Sequence, residues 1–283
     1  MKIISEISKM QQTSDEFRRQ GRNIALVPTM GYLHNGHLEL IKVAKQNADV
    51  VITTLFVNPT QFGPSEDFNK YPRDVERDKK LAESVGTDVL FIPTQNEMYP
   101  ADYLTYVEVE KITKVLEGKF RPSHFRGVAT VVAKLFNITK PHIAVFGQKD
   151  AQQAVVIKQM VRDLNFDIKI IVVPIVRETD GLAMSSRNVY LTSTERSESI
   201  VLFQSLQLAK QLIEKGERNC NKIISEMTKL ISTKPSASID YISIADAGTL
   251  QEFTNLKSGD NVLISLAVRF GATRLIDNIT LNI

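Results

Sequence analysis

His34 and His37 stand three residues apart inside the run Pro28-Thr29-Met30-Gly31-Tyr32-Leu33-His34-Asn35-Gly36-His37. Imidazoles at that spacing share one face of a helical turn. Two of them can donate hydrogen bonds to phosphate oxygens as charge builds during phosphoryl chemistry. Gly31 and Gly36 let backbone approach a ligand closely, and a helix opening at this point supplies N–H groups and a positive dipole end. The plainer alternative is a pair of surface histidines beside a turn. A zinc site would need a further ligand from His124 or His142, which no motif ties in, so no protein-held metal is expected.

Four further runs carry candidate chemistry. In Gly181-Leu182-Ala183-Met184-Ser185-Ser186-Arg187-Asn188, two hydroxyls and a guanidinium could contact a polyphosphate, Arg187 in bidentate fashion; the alternative is a polar interdomain turn. In Phe146-Gly147-Gln148-Lys149-Asp150-Ala151-Gln152-Gln153, Gly147 permits close approach, Lys149 offers a point charge, and Asp150 with Gln153 could bind ligand or merely cap a helix. Asn58 and Gln61 in Asn58-Pro59-Thr60-Gln61-Phe62-Gly63 could read a small substrate's hydroxyl and carboxylate groups, although the residues by themselves favour a Pro-Gly turn with solvated amides. Arg121-Pro122-Ser123-His124-Phe125-Arg126-Gly127 is an active-site wall or a basic loop, and Arg73–Asp78 reads as a solvated helix face, with Asp78 a weak candidate for Mg²⁺.

The elements that must position these residues alternate. Ile24–Val27, Val50–Val57, Asp88–Ile92, His142–Phe146 and Ile168–Val176 are apolar strand candidates, and residues 37–48, 126–140 and 150–165 have helical spacing. Continuous apolar strands separated by helices predict a parallel α/β sheet covered on both faces, with ligands bound beyond the carboxyl ends of its strands. The pattern changes after about Glu178. A Thr192/Glu195 capping box, helices around 201–213 and 223–231, and strands at Asp240–Ala245, Asn261–Phe270 and Thr273–Ile279 predict a small α+β domain. The expected domains are 1–177 and 178–283.

Composition sets outer bounds. The 283 residues are 43% hydrophobic and 24% charged, which excludes wholesale disorder. A net charge of +3 gives no support to nucleic-acid binding. Cys220 is the single cysteine, so no intrachain disulfide forms, which fits a reducing cytoplasm. The N-terminal residues lack the apolar core of a signal peptide, and no apolar run is long enough to span a membrane.

An HxGH element after the first strand, with a later SSR loop, resembles the nucleotidylyl-transferring Rossmann-like superfamily. The fuller set is PTMGYLHNGH, FVNPTQFGPSEDF, YPRD, RPSHFRGVATVVAKLF, FGQKDAQQ, DGLAMSSRNVYL and AVRFGATRLIDNI. In that order and over nearly the whole chain, it resembles the pantoate–β-alanine ligase (pantothenate synthetase) family. Tyr32, Asn35, Ser123, Gln148 and Ala151 depart from that family's usual residues. The resemblance implies an ATP-dependent condensation of pantoate with β-alanine through a pantoyl adenylate, releasing pyrophosphate and AMP. It implies ATP contacts at Met30, Gly31, Tyr32, Leu33, His34, Asn35, Gly36 and His37, at Gly147, Gln148, Lys149 and Asp150, and at Val176, Met184, Ser185, Ser186 and Arg187. His37, His34 and Lys149 would be catalytic, with His37 the family's proton donor. Gln61 would hold pantoate and adjoin β-alanine, and Gln153 would hold pantoate. Mg²⁺ would arrive with ATP, the C-terminal domain would act as a lid, and the protein would be a homodimer. The rival readings are a nucleotidyltransferase that leaves AMP on another small substrate and a non-catalytic nucleotide- or RNA-binding module.

Overall fold

The computed structural model describes residues 1–64 and 66–283; Ser65, within the FVNPTQFGPSEDF run, lies outside the described residues. The chain forms two compact units, Met1–Gly147 with Val156–Pro174, and Gln148–Val155 with Ile175–Ile283. Residues 148–155 thus cluster with the later part of the chain, because their backbone is hydrogen-bonded to a C-terminal strand described below.

The first unit is built from β1 (Lys2–Ile4), α1 (Ile7–Arg19), β2 (Ile24–Thr29), α2 (Asn35–Asn47), β3 (Val50–Leu55), α3 (Val75–Ser84), β4 (Val89–Phe91), the short α4 (Gln95–Met98) and α5 (Glu117–Phe120), α6 (His124–Thr139), β5 (Ile143–Gly147), the later part of α7 (Ala151–Asp163) and β6 (Lys169–Val173). Its six strands are parallel in the order β1-β4-β3-β2-β5-β6. The predicted strands are present, with ends shifted by a few residues. The sequence reading had no counterpart for β1 and α1. Strand β2 runs past Val27 through Pro28 to Thr29. Proline is tolerated there because β5 pairs only with Ala25 and Leu26, so the missing N–H lies beyond that ladder.

Alternate residues explain the two-sided core. Ile24, Leu26, Val50 and Ile52 pack with Met10 of α1 and with Val128, Val132 and Leu135 of α6. Ala25, Val27, Val51 and Leu55 point the other way, to Leu40, Ile41 and Ala44 of α2 and Ala82 of α3. All six residues of β3 are buried, as a strand covered on both faces requires. The strand order reverses at β2, whose neighbours are β3 and β5, and the carboxyl ends at such a switch point are where open α/β sheets bind ligands.

The second unit contains α8 (Ser193–Glu198), α9 (Val201–Glu214), α10 (Cys220–Ile231) and the antiparallel sheet β7 (Ala237–Asp246), β8 (Asn261–Phe270), β9 (Thr273–Asn282). The Thr192/Glu195 capping box is formed at the start of α8. Val201, Leu202, Leu206 and Ala209 of α9 and Ile223, Met227 and Ile231 of α10 pack on Val262, Ile264, Leu266 and Val268 of β8. No helix among the described residues is long and apolar enough to cross a membrane.

Candidate active site

The loop between β2 and α2 carries the two histidines. His34 is the N-cap of α2, and the two rings form a reciprocal capping box. Gly36 N–H donates to His34 Nδ1 at 3.1 Å, and His34 N–H donates to His37 Nδ1 at 3.3 Å. Both Nδ1 atoms therefore act as acceptors, which in the neutral rings places the proton on Nε2. The rings lie 4.0 Å apart at 35°. The arrangement is two side-by-side imidazole N–H donors at the start of a helix, which suits a phosphate oxygen.

The loop's shape is imposed from beneath. Gly31 and Tyr32 have φ of +88° and +49°, a region costly for a non-glycine residue. The carboxylate of Asp78, from α3, accepts Tyr32 N–H at 2.6 Å and Leu33 N–H at 2.7 Å. Arg77 lies 5.1 Å over the Tyr32 ring. Asp78 is 2% exposed, which corrects the reading of Arg73–Asp78 as a wholly solvated face, and its oxygens serve the loop backbone instead of facing solvent. Burial raises its carboxyl above the usual value, against the pull of the Leu33 and Tyr32 N–H groups. The Tyr32 and Leu33 amides are therefore satisfied by protein. On the strand side, Gly31 N–H donates to Thr29 Oγ1 at 3.1 Å, and that hydroxyl donates to Thr54 O at 2.6 Å.

Asn58 and Gln61 are not solvated amides: they are 1% and 7% exposed. Asn58 Nδ2 donates to Gln61 Oε1 and to Gly127 O, both at 3.1 Å, and Gln61 Nε2 donates to Met30 Sδ at 3.0 Å. This joins the Gln61 turn to the loop bearing His34 and His37. Gly127 lets α6 approach this turn, because a Cβ there would sit 2.3 Å from Thr60 O and 2.6 Å from Gln61 Cα.

The Arg121–Gly127 run does a specific job that its sequence left open. His124 Nδ1 lies 2.9 Å from Gln61 O, and its Nε2 lies 3.3 Å from Arg121 Nη1. Burial, then the Arg121 charge, pushes the His124 ring down to about 4, so it is neutral near pH 7. A neutral ring with its proton on Nδ1 donates to the carbonyl and accepts from the guanidinium. Arg121 Nε in turn donates to both carboxylate oxygens of Glu66, at 3.0 and 3.1 Å. Burial alone would raise Glu66, but Arg121 and His124 bring it below the usual value. His142, by contrast, accepts Ile24 N–H at 3.0 Å at the start of β2, the end opposite the histidine loop.

The remaining site candidates belong to the second unit, apart from Gly147, the last residue of β5. Gln148, Lys149 and Asp150 form a single 3₁₀ turn, with the Lys149 ammonium 3.5 Å from Asp150. Gln153 lies in the first turn of α7 and is partly buried. Val176 O accepts Met184 N–H at 3.0 Å, closing a hairpin that presents Met184, Ser185, Ser186 and Arg187. Ser185 Oγ caps the next turn by accepting Arg187 N–H at 3.2 Å. Asn188 Nδ2 ties the turn to Glu178 and to Ala183 O, at 2.9 and 3.2 Å.

A parallel doubly wound sheet with an HxGH capping box at its switch point defines an α/β protein of the HxGH nucleotide-handling class. The pantoate-beta-alanine ligase family model matches residues 2–280. The chain is 55% identical over 283 residues to a pantothenate synthetase of Acetivibrio thermocellus, covering 100% of both chains. It is 54% identical over 279 residues to that of Chloroherpeton thalassium, covering 98% of both. A solved pantothenate synthetase of Thermus thermophilus superposes with a TM-score of 0.92 at 40% identity, over 99% of each chain. A pantoate-beta-alanine ligase of Francisella tularensis, solved in complex with beta-gamma ATP and beta-alanine, superposes with a TM-score of 0.80 at 37% identity, over 99% of this chain and 97% of that one. The chain belongs to the pantoate-beta-alanine ligase family.

Proposed function

We propose that this chain joins pantoate to β-alanine at the expense of ATP, in two steps. A pantoate carboxylate oxygen attacks the α-phosphorus of ATP, and the bond to the β,γ-bridged pyrophosphate breaks. The amine of β-alanine then attacks the acyl carbon of the pantoyl adenylate, AMP leaves, and the ammonium loses a proton to give pantothenate. Neither step needs a covalent enzyme nucleophile, so the protein contributes positioning and charge stabilisation.

The observation that carries this reading is the reciprocal His34–His37 cap, which fixes two Nε2–H donors side by side within a chain matched to the family over residues 2–280. We assign His34 and His37 to the α-phosphate, His37 taking the family's proton-donor position. Lys149 and Arg187 are assigned to phosphate oxygens, with Met30 to His37, Gly147 to Asp150, Val176 and Met184 to Ser186 completing the ATP contacts. Within Met30–His37, Tyr32 and Leu33 would contact ATP through groups other than the amides held by Asp78. Gln61 and Gln153 are assigned to pantoate, Gln61 also adjoining β-alanine. The interlocked geometry of buried Asn58 and Gln61 with half-buried Met30 supports a rigid recognition surface.

The remaining parts of the proposal follow the family. ATP is taken as its magnesium complex, the enzyme is cytoplasmic, and it forms a homodimer. The exposed Leu104 and Tyr106, beside Val107 and Val109 that pack on the first core, support an interface in that stretch.

Pyrophosphate release from ATP with pantoate, followed by AMP release strictly dependent on β-alanine, tests the reaction. A product that keeps its adenylyl group after β-alanine is added would instead establish a nucleotidyltransferase. His37→Ala or Lys149→Ala is expected to slow single-turnover adenylation by about two orders of magnitude. A change below about threefold would contradict the assigned role, being far smaller than the loss of a transition-state donor.

A further inference from the structure

The AVRFGATRLIDNI run contains an Asp277-Asn278 pair, to which no chemical role is attached. Both residues lie within β9, which pairs continuously with β8 from Phe270↔Thr273 to Asn261↔Asn282. Adjacent side chains on a strand leave opposite faces, so one of two neighbouring polar residues ordinarily meets water. Here Asp277 is 1% and Asn278 3% exposed. Each is committed to a different segment.

Asn278 Nδ2 donates to Gln148 O at 3.0 Å and to Lys149 O at 2.9 Å, while its Oδ1 accepts from Gln148 Nε2 at 3.0 Å. Two carbonyl oxygens can be met only by the amide nitrogen, so the orientation of Asn278 is fixed by its partners. Holding the carbonyls of consecutive residues fixes the peptide planes from which the Lys149 side chain departs. Asp277 receives Arg177 through paired contacts of 2.6 and 2.9 Å and also accepts Asn278 N–H at 2.8 Å. Arg177 Nη1 donates at 3.0 Å to Gly181 O, inside the hairpin that presents Met184 to Arg187. The guanidinium also lies 4.5 Å over the Phe203 ring. Gly181, at φ +97°, cannot carry a side chain, because a Cβ would meet the Phe203 ring at 2.2 Å.

We propose that Asp277 and Asn278 are positioning residues that lock the Lys149 turn and the Ser185–Arg187 turn to one strand, so that the ammonium and guanidinium address one polyphosphate. The proposal deepens, and rests on, the assignment of Lys149 and Arg187 to ATP phosphates. Neither member of the pair need touch substrate. Their effect falls on the step in which the triphosphate reacts, and spares the attack of β-alanine on an adenylate already formed.

Asn278→Asp is the informative change. It keeps the side chain's size and the acceptor for Gln148, but turns a carboxylate oxygen toward two carbonyl oxygens. Three measurements are made on the full-length protein: the thermal midpoint, single-turnover pyrophosphate release from ATP and pantoate, and pantothenate formation from supplied pantoyl adenylate and β-alanine. Adenylation is expected to fall about tenfold or more, as misplacement of a positioned group does, while adenylate consumption changes less than about twofold. Equal loss in both half-reactions, or loss in neither, overturns the proposal. If Asn278→Asp does not fold, Arg177→Lys carries the same expected split, because it keeps the charge and loses the paired fork; absence of the split there overturns it equally. Lys149→Ala, run in parallel, separates the two levels. If that change leaves adenylation intact, the phosphate assignment fails and the positioning role with it. If it slows adenylation while Asn278→Asp does not, the assignment stands and the positioning role alone fails.

Discussion

His124 gives the sharpest stability prediction. Its ring is held down to about 4, first by burial and then by the Arg121 charge, against the help of the Gln61 carbonyl and Glu66. In the unfolded chain the same ring takes its proton near 6.5. Between those values the unfolded state binds more protons, so stability from this group is fully present above about 6.5 and is lost as pH falls toward about 4. The interval is about 2.5 pH units, which at about 1.36 kcal/mol each corresponds to about 3 kcal/mol. His124→Asn can retain a donor to Gln61 O but loses the acceptor for Arg121 and the ring contact with Phe125 at 4.9 Å. That should cost about 2 kcal/mol near neutral pH, where a part-buried Arg121 N–H loses its partner and the ring contact is lost. The variant lacks the titration, so the two proteins should converge, and then cross, as pH is lowered to about 4.5. Urea denaturation of both proteins from about pH 7.5 to about pH 4.5 measures the gap directly. His142, whose ring is also held below its usual value by burial, titrates in both proteins and cancels in the difference. A gap that stays constant across the range would refute the buried neutral ring.

Three further outcomes follow from the same contacts. Gly127→Ala should destabilise the protein by about 2 kcal/mol or more and weaken pantoate binding, because the added Cβ meets backbone rather than a movable side chain; thermal unfolding and the KM for pantoate measure it. Asp78→Asn sets an amide nitrogen against a backbone N–H and should cost about 2–3 kcal/mol, with slower adenylation through a loosened His34 loop; unchanged stability and rate would show that the loop holds its left-handed turn unaided. Cys220 is fully buried, and burial pushes its thiol up, so a thiol reagent should label the native enzyme only as fast as it opens, with ATP slowing labelling if the nucleotide stabilises the second unit.

Much of the fold was legible because hydrophobic periodicity is a strong signal. The alternation of Ile24–Val27 and Val50–Leu55 between two cores follows from a continuous apolar run in the first and a largely β-branched run in the second, and α6 from the spacing of Val128, Val131, Val132 and Leu135. The short β1 has too few residues to show a period, and the polar composition of α1, with buried Met10, Thr13 and Ser14, hides its inner face. The placement of residues 148–155 with the C-terminal unit could not be read from local pattern, since it depends on Asn278, 129 residues from Lys149 along the chain.

The candidate site divides in the same way. Residues whose own side chains could meet a ligand, such as His34, His37, Lys149 and Arg187, stand out by type and by their place after strands or in loops. Residues that act on the protein's backbone do not. Asp78 grips two loop amides, His124 and Arg121 hold the Gln61 carbonyl, Gly127 admits a helix by having no side chain, and Asn278 grips two carbonyls. Each partner is a main-chain atom present at every position, so the partner's residue type carries no trace of the contact. One signal was available in Asp277 and its neighbour Asn278, where Asp277 interrupts the apolar set Leu275, Ile279 and Leu281 on one side of a strand with an expected period of two. Such a break in alternation costs stability unless both polar groups are satisfied. An aspartate and an asparagine buried on opposite faces of one strand therefore mark a place where the fold has given up apolar packing to hold other segments in place.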